Sequence, residues 1–167
     1  MKNRIFAMVA LVALVTIATV PAFAETVWKE TEISKSCPMP SGLKSPPKII
    51  PPDPNLPPEV AAFSGRWEGI WKNGSKLVLV VERIDAKNAW IIYSWCSPKG
   101  SSNYDRYKAD MVMEGSQYCM KFHIAWAAMG HASGSVSNFT FKFDPSSLTL
   151  KGTDRGATVT LNKISMD

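Results

Sequence analysis

The chain has 167 residues, of which 19 are Lys or Arg and 14 Asp or Glu, giving a formal net charge of +5 with 46% hydrophobic residues. The basic residues stand singly among acidic ones, as on an ordinary solvated surface, which excludes the basic stripe that a nucleic-acid partner needs. No catalytic or metal motif organises the chain, so its functional reading rests on architecture.

Residues 1–24 have the three parts of a secretory signal peptide: Lys2 and Arg4, an apolar run from Ile5 to Val20, and Ala22-Phe23-Ala24 as a small-x-small cleavage site. The apolar run is 16 residues long, whereas a spanning helix needs about 20. No cysteine follows it directly, so cleavage before Glu25 and a soluble, bacterial periplasmic or secreted protein with no membrane span are expected. Loss of Lys2 and Arg4 leaves a balance of +3, enough only for salt-sensitive, unspecific attraction to an anionic envelope surface. Residues 25–60 come next, with nine of the twelve prolines between Pro38 and Pro58. Such a stretch neither pairs in a sheet nor continues a helix. It predicts an extended, polyproline-like arm that either lies along the folded part or holds it away from something, and the composition fits a disordered tail equally well.

From Phe63 the pattern alternates with a period of two. Phe63, Gly65, Trp67, Gly69 and Trp71 share one face of a first strand, and the two glycines beside two indoles suggest a sharply coiled strand entering a closed sheet. Asn73-Gly74 supplies the positive φ angles of a tight turn. Further strands are predicted over Lys76 to Ile84, apolar on both faces at its centre, and Ala89 to Cys96. Ser97 to Asp105 reads as the longest polar loop. Arg106 to Met113, Tyr118 to Trp126, Asn138 to Phe143, Ser147 to Thr153 and Ala157 to Ile164 complete the set, with Leu148 and Leu150 sharing a face of the seventh. Ala127 to Ser137 reads as a loop or a helical turn. Eight short consecutive strands with one large-residue face predict an all-β, eight-stranded antiparallel up-and-down β-barrel over residues 61–167.

Gly65-Arg-Trp67 on the first strand of such a barrel resembles the opening of the calycins, the group of lipocalins, fatty-acid-binding proteins and avidins. Trp67-x6-Gly74-Ser75-x-Leu77 is similar to the first hairpin of avidins, although the later lipocalin motifs and the biotin-contacting residues of avidins find no counterpart here. Phe63 to Trp71, followed by Leu77 to Ile84 and by Ala89, Ile91, Tyr93 and Trp95, more closely resembles an uncharacterised bacterial secreted domain with the pattern Phe-x-Gly-x-Trp-x-Gly-x-Trp, with Cys96 where that pattern has glycine. The resemblance covers most of residues 60–165 and implies the barrel fold without implying a reaction.

Three cysteines in an exported chain suggest one disulfide and one leftover thiol. In a simple meander Cys96 and Cys119 fall at opposite ends of the barrel, beyond the roughly 7 Å Cα separation a disulfide allows. Cys37 in the arm can reach either, and three reduced thiols stay open as well. His123 and His131 lack a ligand spacing and a third partner, so no metal or other cofactor is expected. Ser133, in Gly130-His-Ala-Ser-Gly134, lacks the strand-turn-helix setting of a nucleophile elbow. Asp105, Asp110 and Glu114 read as solvated residues flanking the fourth strand. No catalytic residue is assigned. The sequons Asn73-Gly-Ser75 and Asn138-Phe-Thr140 matter only in a eukaryotic source.

The remaining signal is the aromatic interior. Trp67, Trp71, Tyr93, Trp95, Tyr107, Tyr118 and Trp126, with Phe122, either fill the barrel or wall a pocket at one mouth. The expected function is therefore non-catalytic binding of a small apolar molecule or sugar, one able to stack on aromatic rings, at that mouth. The alternative is a protein-binding envelope accessory or inhibitor with a packed interior.

Overall fold

A computed structural model describes residues 30–37, 45–126 and 135–165. The expected signal peptide over residues 1–24, His131, Ser133 and most of the segment from Ala127 to Ser137 lie outside the described residues. Eight strands, β1 (Gly65–Ile70), β2 (Lys76–Ile84), β3 (Asn88–Cys96), β4 (Ser102–Glu114), β5 (Gln117–Ala125), β6 (Val136–Asp144), β7 (Thr149–Asp154) and β8 (Ala157–Ile164), follow one another antiparallel around a closed barrel. The closed, up-and-down order is compatible with a calycin-like fold.

Closure occurs where β1 meets β8, with Arg66 opposite Ile164 and Gly69 opposite Leu161. Glycine is required at 69. A Cβ there would lie 2.7 Å from Leu161 Cδ2 and closer still to the Thr160 carbonyl oxygen, so the backbones can approach only because no side chain intervenes. Inside, Tyr93, Phe122, Phe139 and Phe141 make a continuous stack, with Phe122 and Phe139 centroids 5.0 Å apart and Tyr93 and Phe139 4.8 Å apart.

The end of the barrel where β1 begins is plugged. A single turn, α2 (Pro58–Ala61), opens on prolines suited to a helix start and brings Val60 and Phe63 fully inside the core, with Leu56 packed against them. Phe63 therefore belongs to this plug rather than to β1, whose pairing begins at Gly65. The Trp67 indole N–H donates to the Phe63 carbonyl at 2.8 Å, and Trp67 meets Phe143 edge-on at 6.2 Å.

Ahead of this plug, the described parts of the arm at residues 30–37 and 45–50 lie against the outer wall. Its first part is a one-turn helix, α1 (Glu32–Ser36), which the proline-rich composition did not suggest. Thr31 caps it, accepting from the Ser34 N–H at 3.0 Å while its own N–H donates to Ser34 Oγ at 2.8 Å. Ile33 of α1 and Ile49 cover Val78, Val80 and Ile92, so the outward side chains at the centre of β2 are as dry as its inward ones. Lower down, β2 carries a bulge between Val81 and Arg83. The bulge frees the Glu82 carbonyl, which accepts from the Ile50 N–H at 2.7 Å. The Glu82 carboxylate accepts from Lys48 N–H at 3.1 Å and from Arg106 Nε at 2.8 Å, and Arg106 Nη2 reaches the Ser45 carbonyl at 2.9 Å. Arg66 and Glu68, on the outward face of β1, form an ion pair only 4% and 2% exposed, and the Thr31 hydroxyl donates to the same carboxylate.

Several strand limits differ from the sequence expectation, among them the starts of β4 and β7. Ser102 to Asp105 are not loop: they pair with β3 from Cys96 to Tyr93, and the connection shrinks to residues 97–101, closed by Ser97 N–H to the Ser101 carbonyl at 2.7 Å. Backbone pairing, not apolar alternation, makes them strand. Leu148 is not on an inward face: it occupies a turn at φ 54° and is 66% exposed, so β7 starts at Thr149.

Candidate functional site

The opposite end of the barrel, away from α2, is open. There the turn after β1, the end of β3, the start of the β5–β6 connection and the β7–β8 turn surround a cavity of about 220 Å3 lined by Trp71, Asn73, Ser75, Tyr93, Trp95, Trp126, Phe139, Asp154 and Ala157. Strand parity delivers the aromatic wall. Trp71 continues the inward register of Trp67 and Gly69, Trp95 that of Ile91 and Tyr93, and Trp126 that of Phe122 and Ile124.

Six of the seven aromatic residues singled out in the sequence divide between the two ends, and Tyr107 lies between them. Trp71, Tyr93, Trp95 and Trp126 meet at the mouth. Trp67 is fully buried at the plugged end, beneath the Lys163 ammonium 5.1 Å from its ring. Tyr118 lies at that end too, in a shallow groove with Phe63 and Pro57. Tyr107 stacks on Phe122 at 5.9 Å, half-buried in the wall below the mouth, and burial pushes its hydroxyl up to about 12, with Asp105 adding to the shift.

Each mouth indole has a different polar fate. The Trp126 N–H donates to Ser137 Oγ at 2.9 Å. Trp71 hydrogen-bonds the Tyr93 hydroxyl, whose pKa is nonetheless raised, chiefly by burial and further by the nearby Asp154 carboxylate. The Trp95 N–H is buried and meets no acceptor among the described residues. A buried donor without a partner forfeits on the order of 1–3 kcal/mol. Trp95 and Trp126 stand edge-to-face, 5.6 Å apart at 85°, and form two perpendicular walls.

Asp154 is the residue that sequence reasoning missed. It follows Leu150 and Gly152 on the inward parity of β7, and the tight turn at Arg155 (φ 47°) and Gly156 (φ 82°) holds it at the rim opposite Ala157. Its Oδ1 accepts from Asn138 N–H at 3.1 Å. The parity signal was available, but a carboxylate beside a turn reads first as a solvated turn residue.

Cys37 and Cys96 are joined, with Cα atoms 5.6 Å apart, so the arm is stapled to β3 next to Trp95. Cys119 is a free thiol, buried on the outer side of β5, donating to Glu114 at 3.4 Å; burial and that carboxylate push its pKa up. Glu114 is held down to about 2 by Lys121 and Lys142. Among the described residues no group of three His, Cys, Asp or Glu is placed to hold a metal ion, and no helix is long and apolar enough to cross a membrane. No protein-family model matches the chain, and neither the curated proteins nor the solved structures give a match.

Proposed function

We propose that this chain is an exported, calycin-like, non-catalytic barrel that captures one small apolar or aromatic-stacking ligand at its open mouth. The observation that carries the reading is the buried Trp95 indole N–H, left without an acceptor in the wall of an otherwise aromatic cavity. A ligand that stacks on the indoles and offers one acceptor would cover apolar surface and satisfy that donor together. At about 220 Å3 the cavity is smaller than the pockets of roughly 300–1,000 Å3 that take drug-sized molecules, so a compact ligand is favoured. The plug at the other end and the packed aromatic stack beneath the mouth support a pocket reached from the mouth alone. Export is supported by the signal-like leader and by a disulfide of the kind that persists in oxidising compartments.

The test is a thermal-shift screen of the protein against small aromatics, sugars, lipids and cofactors, read alongside tryptophan emission. A ligand at a hundred times its Kd stabilises the folded state by about 2.7 kcal/mol, a readily visible rise in Tm. Silence across the panel would overturn capture and return the choice to docking on an envelope protein.

A further inference from the structure

We infer that the mouth selects a small organic cation, an alkylated ammonium carrying a hydroxyl or similar acceptor, with its charge set against Asp154 and its methyl groups against the indoles. This rests on the capture reading and narrows it to one ligand class.

Asp154 is the one charged side chain among the described residues that line the cavity. No Lys, Arg or His of the described residues pairs with it, and Arg155, its neighbour in the chain, is engaged with the Val136 carbonyl. The carboxylate acts on the interior: it lies close enough to Tyr93 to disfavour a second negative charge there. Around it stand the indoles of Trp71, Trp95 and Trp126, a ring type whose π system attracts cations, and the Trp95–Trp126 pair meets edge to face at 85°. An anion would face the carboxylate with the wrong sign. A bare divalent cation would want six or more oxygen ligands, and the cavity offers one carboxylate with the small polar groups of Asn73 and Ser75. A weakly hydrated alkylammonium, by contrast, loses little on leaving water and gains from every ring. Its hydroxyl would supply the acceptor that Trp95 lacks.

The test compares choline with its neutral isostere 3,3-dimethylbutan-1-ol by titration calorimetry and tryptophan fluorescence on the wild-type protein. Choline is expected to bind at least tenfold more tightly, and Asp154→Asn to weaken choline by about fivefold or more, as for one carboxylate–cation contact in a partly exposed site, while leaving the alcohol unchanged. Equal binding of the two probes to the wild type, which needs no variant to fold, would overturn cation selection and leave capture standing. So would an Asp154→Asn protein of unaltered melting that holds choline as before. Failure of both probes would also overturn it, and the wider thermal-shift panel then decides separately whether the mouth captures anything.

Discussion

A Gly69→Ala substitution places a methyl group where β1 and β8 run closest. The new Cβ would sit 2.7 Å from Leu161 Cδ2, 3.1 Å from the Thr160 carbonyl carbon and nearer still to its oxygen. Ordinary contact begins near 3.4 Å, and the obstacle is backbone held in a ladder rather than the end of a flexible side chain. The strands must therefore part by about 1 Å at the Gly69–Leu161 pair, the last one recorded on this seam toward the mouth. Overpacking of this kind costs on the order of 1–3 kcal/mol, and a neighbouring ladder bond lost with it adds about 1 kcal/mol. Taking about 3 kcal/mol in all, Tm should fall by roughly 10 °C and the urea midpoint by more than 1 M. Gly115→Ala is the reference: that glycine, unlike Gly69, has a positive φ, 62°, but nothing lies within 4 Å of its missing Cβ, so only backbone strain of about 1 kcal/mol is expected. Urea unfolding of both variants, followed by tryptophan emission, decides the matter. If Gly69→Ala costs no more than Gly115→Ala, the close approach at the seam is not what demands the glycine.

The Cys37–Cys96 bridge spans 59 residues, and in the chain-entropy picture a closed loop of that length constrains the unfolded state by about 4 kcal/mol. The Cys37→Ser/Cys96→Ser protein should therefore unfold at a clearly lower urea midpoint, and its arm should become open to limited proteolysis, whereas an unchanged midpoint would refute the estimate. Glu114 gives the pH dependence its sign. Its carboxyl is lowered from 4.5 to about 2 in the folded state by Lys121 and Lys142, so its contribution is present above about pH 4.5 and is lost as pH falls toward 2. The urea midpoint should decline across that window, and Glu114→Gln should flatten part of the decline; an identical slope in the variant would show that the two lysines do not act through this group.

Much of the barrel was legible because its strands obey one parity. Trp67, Phe141 and Leu161 point inward as the alternation requires, and each is fully buried. The arm's docking was harder to read. Its trace in the sequence was β2, apolar on both faces at Val78 and Val80, which only makes sense if something covers the outside, yet the matching Ile33 and Ile49 lie among prolines and polar residues that suggest an open chain. The bulge at Glu82 was invisible, since one extra residue in a valine-rich run leaves the composition unchanged and is set by the Arg106 and arm contacts that exploit it. At the mouth the aromatic residues were visible, but their division between two ends was not: Trp67 and Trp71 share a face, and only the chain's direction through a plugged barrel puts one at the floor and the other at the rim. Asp154 illustrates the limit from the other side, because its setting depends on neighbours drawn from the turn after β1, from β3 and from β6 rather than on its own surroundings in the chain.

The staple at Cys37 also fixes how the protein carries mechanical load. Tension applied ahead of Cys37 that is not taken up by the contacts of α1 with β1 and β2 passes through sulfur into β3 at Cys96, without running along the backbone between the two cysteines. Traction that reaches the bridge acts on the lip that bears Trp95, at the end of the barrel away from the plug.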